Sequence, residues 1–166
     1  QIYYLGFAYE ALGEFRTAEY YYKKGSSFDN QFYYYLANLA KKMNQVDQAI
    51  VYFKKGAELK NDKTFYDYHL SNYLRELGRH DLAIKVMDML LKNDEKRVDY
   101  LFHKANSLRS INHYREAYEV MLEANRYQPN NDLFKEQVAQ LLKYREMEVG
   151  WNGRKLNTQW DAWRRL

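Results

Sequence analysis

The chain has 166 residues, 46% of them apolar, with one proline, seven glycines and no cysteine. That length holds one core of ordinary size, and the composition excludes a disordered chain, disulfides and thiolate metal sites. The net charge of +4 tilts binding toward acidic partners without requiring nucleic acid, and no apolar run approaches the roughly 18 residues of a membrane span. So few breakers leave little room for many short strands, so the expected fold class is all-α. Aromatics reach 17%, 18 of them tyrosine, which suits surface as well as core because the phenol keeps a polar end.

The first stretch, YYLGFAYEALGEFRTAEYYYKKG from Tyr3 to Gly25, reads as a helix, a break at Gly13 and a second helix. Its second half returns along the chain. RTAEYYYKKG (Arg16–Gly25) recurs as DQAIVYFKKG (Asp47–Gly56), then more loosely as DLAIKVMDML (Asp81–Leu90) and REAYEVMLEA (Arg115–Ala124). The anchoring alanines are Ala18, Ala49, Ala83 and Ala117, spaced by 31, 34 and 34 residues. Four residues after each stands a large side chain: Tyr22, Phe53, Met87 or Met121. Such a pair shares one helix face, and a small residue beside a large one lets two helices interlock. The first half recurs in step, as Leu5-Gly6, Leu36-Ala37, Leu70-Ser71 and Lys104-Ala105. Three residues after each small residue comes Tyr9, Ala40, Leu74 or Leu108. Between the halves sit Gly13, Asn44, Gly78 and Asn112, the two residue types that best tolerate the left-handed conformation closing a helix.

A helix–turn–helix period of 34 residues carrying Leu5-Gly6-x-x-Tyr9, Ala18-x-x-x-Tyr22 and, in the fourth unit, Pro129 resembles the tetratricopeptide repeat over about residues 1–130. The departures are ordinary for so degenerate a motif. Ile2, Tyr33, Asp67 and Leu101 hold the tryptophan slot, Asn30, Asn61 and Glu95 the proline slot, and Lys104 replaces a leucine. The resemblance implies an α-solenoid, a right-handed superhelix of stacked antiparallel helix pairs. The expected array covers residues 1–149, with repeats at about 1–30, 31–62, 63–96 and 97–130 and an extra helix at 131–149. That helix puts Val138-Ala139 and Leu142 in the repeat slots. Gln1 already falls inside the first helix with no capping residue ahead, so a fragment of a longer repeat protein is expected.

The tail, residues 150–166, holds all three tryptophans: Trp151, Trp160 and Trp163. Leu156, Trp160 and Trp163 form one stripe of a short amphipathic helix. The favoured expectation is a cap over the end of the stack, with Gly150 and Gly153 at a joint. The alternative is an arm for a partner or for self-association through Trp160 and Trp163.

In the family that the chain resembles, the first helix of each unit lines a concave face. Three rows would stand there: Tyr3, Tyr34, Tyr68 and Phe102; then Phe7, Asn38, Asn72 and Asn106; then Glu10, Lys41, Arg75, Arg109 and Lys143. A side-chain amide both donates and accepts, so Asn38, Asn72 and Asn106 could clamp the backbone of an extended peptide. Helices packed about 10 Å apart would meet about every third residue of such a peptide. This resembles the asparagine ladders of peptide-binding tetratricopeptide proteins; the alternative is three surface polar residues without a common ligand. Tyr34, Tyr68 and Phe102 would add apolar contact, or else pack between neighbouring helices. Lys41, Arg75, Arg109 and Lys143 would favour acidic character in the ligand, or else form a solvated face.

The carboxylate clamp that binds chaperone tails does not fit. His69 stands where its second asparagine would be, and Asp99 with His103 where its Lys–Arg pair would be. His69 and His103 occupy equivalent slots and could make ligand binding sensitive to pH. Nothing in the sequence asks for a metal or other cofactor, and there is no phosphate loop, nucleophile motif or marked acid–base pair. The expected function is a non-enzymatic scaffold for a protein or peptide segment. A self-assembling architectural module is the alternative, and RNA binding is a distant third.

Overall fold

A computed structural model of the chain describes residues 2–59 and 63–153. Within them run α1 (Ile2–Ala11), α2 (Phe15–Gly25), α3 (Gln31–Lys42), α4 (Val46–Glu58), α5 (Lys63–Glu76), α6 (His80–Asn93), α7 (Val98–Ser110), α8 (Tyr114–Tyr127) and α9 (Asp132–Gly153). The helices belong to two compact units divided between Tyr73 and Leu74. In the first unit α1 pairs with α2, α2 with α3, and α3 with α4. In the second α6 packs on α7, α7 on α8, and α8 on α9.

Each of the four tight turns is built alike. Gly13, Asn44, Gly78 and Asn112 all take positive φ, at 78°, 57°, 72° and 64°. The amide following each reaches back to close the helix: Glu14 to Tyr9, Gln45 to Ala40, Arg79 to Leu74 and His113 to Leu108, at 2.8–2.9 Å. The turn residue's own amide bonds Glu10, Lys41, Arg75 or Arg109 at 3.0–3.1 Å. This pair of bonds is the Schellman motif, which satisfies carbonyls that a helix end leaves open.

Repeat packing follows the small–large pattern. Ala18, Ala49, Ala83 and Ala117 are buried, as are Tyr22, Phe53, Met87 and Met121. Three glycines mark the closest approaches, among them Gly25, where a Cβ would lie 2.3 Å from the Phe32 ring. A Cβ on Gly6 would lie 2.3 Å from the Tyr22 ring, and one on Gly56 would lie 2.2 Å from the Tyr66 ring. The Tyr66 hydroxyl donates to the carbonyl of Asn30 at 2.6 Å, and Nδ2 of Asn30 donates to that of Gly56 at 3.3 Å. Three of the 18 tyrosines join an aromatic cluster of the first unit, where Tyr3, Phe7, Tyr22, Phe32 and Tyr35 meet at centroid distances of 4.6–6.3 Å.

The second unit is built on Leu101, Ala105, Leu108, Ala117, Met121, Ala124, Phe134 and Leu141. Lys104, the departure from the leucine slot, bridges to Asp88 on α6 at 2.7 Å. In α9 the stripe turned inward is Phe134, Val138 and Leu141. Ala139 is exposed, unlike Ala37, Ser71 and Ala105 in the matching slot. A second helix covers that slot in the complete repeats, and among the described residues none follows α9. The helix also runs through Gly150 to Gly153, four residues past the expected boundary at 149. The tail's expected cap or arm, with Trp160 and Trp163, lies outside the described residues.

Candidate ligand-binding face

In the first unit, Tyr34, Asn38 and Lys41 come together. With Phe7, Glu10, Tyr35 and Lys42 they line a cleft of about 460 Å³. Periodicity alone explains this gathering, since Tyr34, Asn38 and Lys41 are spaced for one face of α3 and Phe7 and Glu10 for the matching face of α1. Two cations sit side by side there with different fates. Lys42 pairs with Oε1 of Glu10 at 2.5 Å, whereas Nζ of Lys41 lies 4.6 Å over the ring of Tyr73. Oε2 of Glu10 accepts from the Tyr22 hydroxyl at 2.6 Å. Burial, and then this bond, push the Tyr22 phenol well above its ordinary pKa.

The asparagines differ from one another. Nδ2 of Asn38 donates to the carbonyl of Tyr34 in its own helix at 3.0 Å. Oδ1 of Asn72 is buried and has no hydrogen-bond partner among the described residues. Asn106, in the second unit, is half-buried. Tyr34 leans on Phe65 and His69, at 5.1 and 4.7 Å, and Tyr68 lies 5.7 Å from His69. Burial, followed by the charge of Lys41, lowers the His69 pKa. Phe102 is stacked on Phe134 at 5.6 Å, a contact between neighbouring first helices.

The basic row has a geometry that spacing did not reveal. Arg75 reaches His103, Nη1 to Nδ1 at 2.5 Å, and Arg109 reaches Oε1 of Gln137 at 2.8 Å. Both contacts span 28 residues, so each guanidinium leans onto the next first helix nearly two turns before its own equivalent. Gln137 stands in the slot of His69 and His103, 34 residues after the latter, and was missed in sequence because the residue type changes there; Tyr73 lies in none of the rows marked in sequence. Lys41, Arg75 and Arg109 also occupy the last turn of their helices. A cation there favours the negative end of the helix dipole, a reason for the basic type that needs no ligand. Lys143 stands apart, exposed in the interior of α9.

A family model described as tetratricopeptide repeat matches residues 30–63. Among curated proteins none matches in sequence. Among solved structures, MamA of AMB-1 superposes with a TM-score of 0.64 at 17% identity, covering 89% of this chain and 82% of that one. MamA from Desulfovibrio magneticus RS-1, residues 41 to the end, gives 0.64 at 13% identity, covering 93% and 96%. YrrB, described as a TPR protein with an unusual peptide-binding site, gives 0.62 at 19%, covering 81% and 71%. At these identities the likeness establishes the fold: an all-α solenoid of stacked helix pairs. A tetratricopeptide repeat is matched at residues 30–63, within a fold like that of tetratricopeptide-repeat structures. This fold is in general that of a scaffold for protein–protein interaction rather than of an enzyme.

Proposed function

We propose that the chain binds an extended segment of a protein partner along its first helices. The observation that supports this reading is the cleft between α1 and α3, which gathers an aromatic ring, an amide and a cation: Tyr34, Asn38 and Lys41. Such a cleft offers an apolar wall, a group that can pair with a peptide bond, and a charge for an acidic side chain. Asn72 belongs to the reading by its place in the row; its Oδ1 is buried without a partner among the described residues, so the amide would turn outward to meet a peptide N–H. Asn106 and Arg109 offer the same groups in the second unit, and Tyr68, Phe102 and Lys143 complete the proposed set. YrrB, of like fold and described as having an unusual peptide-binding site, supports the reading.

The test is selection of peptides from a displayed random library, followed by affinity measurements on variants. Asn38→Ala with Asn72→Ala should weaken selected peptides at least tenfold while helical circular dichroism stays constant. Undiminished affinity in that double variant would remove the asparagine clamp.

Self-association is the second reading, supported by the exposed Tyr4, Leu5 and Leu12 in and just after α1. Light scattering on a chain ending at Gly150 separates the possible routes. An unchanged oligomeric state would exclude assembly through the tail.

A further inference from the structure

Arg75 is half-buried, and its sole hydrogen-bond partner among the described residues is an imidazole, His103 Nδ1 at 2.5 Å. Arg109, one period later, ends on the neutral oxygen of Gln137. Three carboxylates of the same unit are engaged elsewhere: Asp88 with Lys104, Asp99 with Arg97 and Asp132 with Lys135, at 2.7–3.1 Å. A half-buried guanidinium facing a neutral ring has most of its donor capacity unmatched by any anion among the described residues.

The histidine is shaped by the same contact. A guanidinium can only donate, so Nδ1 is the acceptor and the ring proton sits on Nε2. Burial first, then the Arg75 charge, hold the His103 pKa down to about 4, against a smaller opposing pull from Asp99 one turn back on α7.

We propose that Arg75 and His103 form a proton-coupled carboxylate site, which binds an aspartate or glutamate side chain of the partner segment with uptake of one proton. Arg75 turns its N–H from Nδ1 to the incoming carboxylate. The freed Nδ1 lone pair takes a proton from solvent, and the imidazolium donates to the same anion. The only bond made is that N–H, at the expense of one hydronium. The site rests on the acidic-segment reading above and adds its regulation.

The sign follows from linkage. A carboxylate raises the proton affinity of His103, so between the two pKa values the complex carries a proton that the free protein lacks. Affinity therefore rises as pH falls, by up to about tenfold per pH unit.

The experiment follows fluorescein-labelled hexaglutamate by anisotropy against the whole chain, from about pH 8 to 5.5 at constant ionic strength. The wild type should tighten several-fold per unit. His103→Gln should bind without a slope, at the weaker affinity that the wild type shows at the alkaline end. Arg75→Gln should bind weakly throughout, and His69→Gln should keep the slope. In the wild type, the His103 pKa measured by NMR should move up when hexaglutamate is added and stay put with hexaalanine, a readout that needs no folded variant. No binding at millimolar hexaglutamate, a flat wild-type profile, or a slope that survives His103→Gln overturns the site. If library peptides still depend on Asn38 and Asn72 while hexaglutamate binding is flat, the groove reading stands and this site falls. A His103-dependent slope indifferent to both asparagines keeps the site and removes the clamp.

Discussion

Gly56 lies inside α4, where glycine ordinarily costs a helix about 1 kcal/mol relative to alanine. The structure shows what outweighs that cost. The Tyr66 ring, fully buried, occupies the place where a Cβ would project. Gly56→Ala should therefore destabilise the protein by about 1–3 kcal/mol in urea unfolding, despite the better helix former, because a buried ring anchored to Asn30 must move. Tyr66→Leu should recover part of the loss in the double variant. At the turn, Asn44→Gly should be neutral or slightly stabilising, whereas Asn44→Ala should cost about 1–2 kcal/mol for its positive φ. His103 makes a third prediction. Its folded pKa, about 4, lies below the unfolded value, so the unfolded chain holds more protons between roughly pH 6.5 and 4. Stability should fall as pH drops through that window, by roughly 1–2 kcal/mol more in the wild type than in His103→Gln once partial exposure is allowed for.

Among the elements, α9 shows how a repeat pattern is read differently at the end of the described array. Its sequence matches the first-helix slots, yet only one side of that pattern is covered. Ala105→Glu should abolish folding or cost more than 4 kcal/mol, because it forces a charge into a closed interface. Ala139→Glu in the matching slot should stay within about 0.5 kcal/mol. Comparable losses at the two sites would mean that α9 is covered in solution. Much of this architecture was legible beforehand. The turn slots could be read because few residue types accept a left-handed backbone, and the interlocking faces because small–large pairs recur at one helical spacing. The exposure of Ala139 was not legible, since a slot carries no record of whether its neighbour exists.

Over the whole molecule, the rows on the first helices were readable but their contacts were not. Spacing put Tyr34, Asn38 and Lys41 on one face, and the cleft gathers them. Spacing could not say that Glu10 would take Lys42 rather than Lys41, or that Arg75 would reach back to His103. Those choices depend on how one helix is displaced along the next. They also left Phe102 stacked on Phe134 rather than presented alone. Stability in stacked repeats is a sum of local terms and neighbour interfaces. Met121→Ala should thus cost about 2–5 kcal/mol, with the loss of hydrogen-exchange protection greatest in α7, α8 and α9. Uniform loss through all helices would contradict a nearest-neighbour architecture.

The cations that close three first helices carry a double obligation. Lys41, Arg75 and Arg109 each stand where positive charge steadies the end of their own helix. Drift that erased them would loosen the hairpin before any partner noticed. Selection for sound hairpins alone would keep positive charge at these three helix ends, whatever the helices bind.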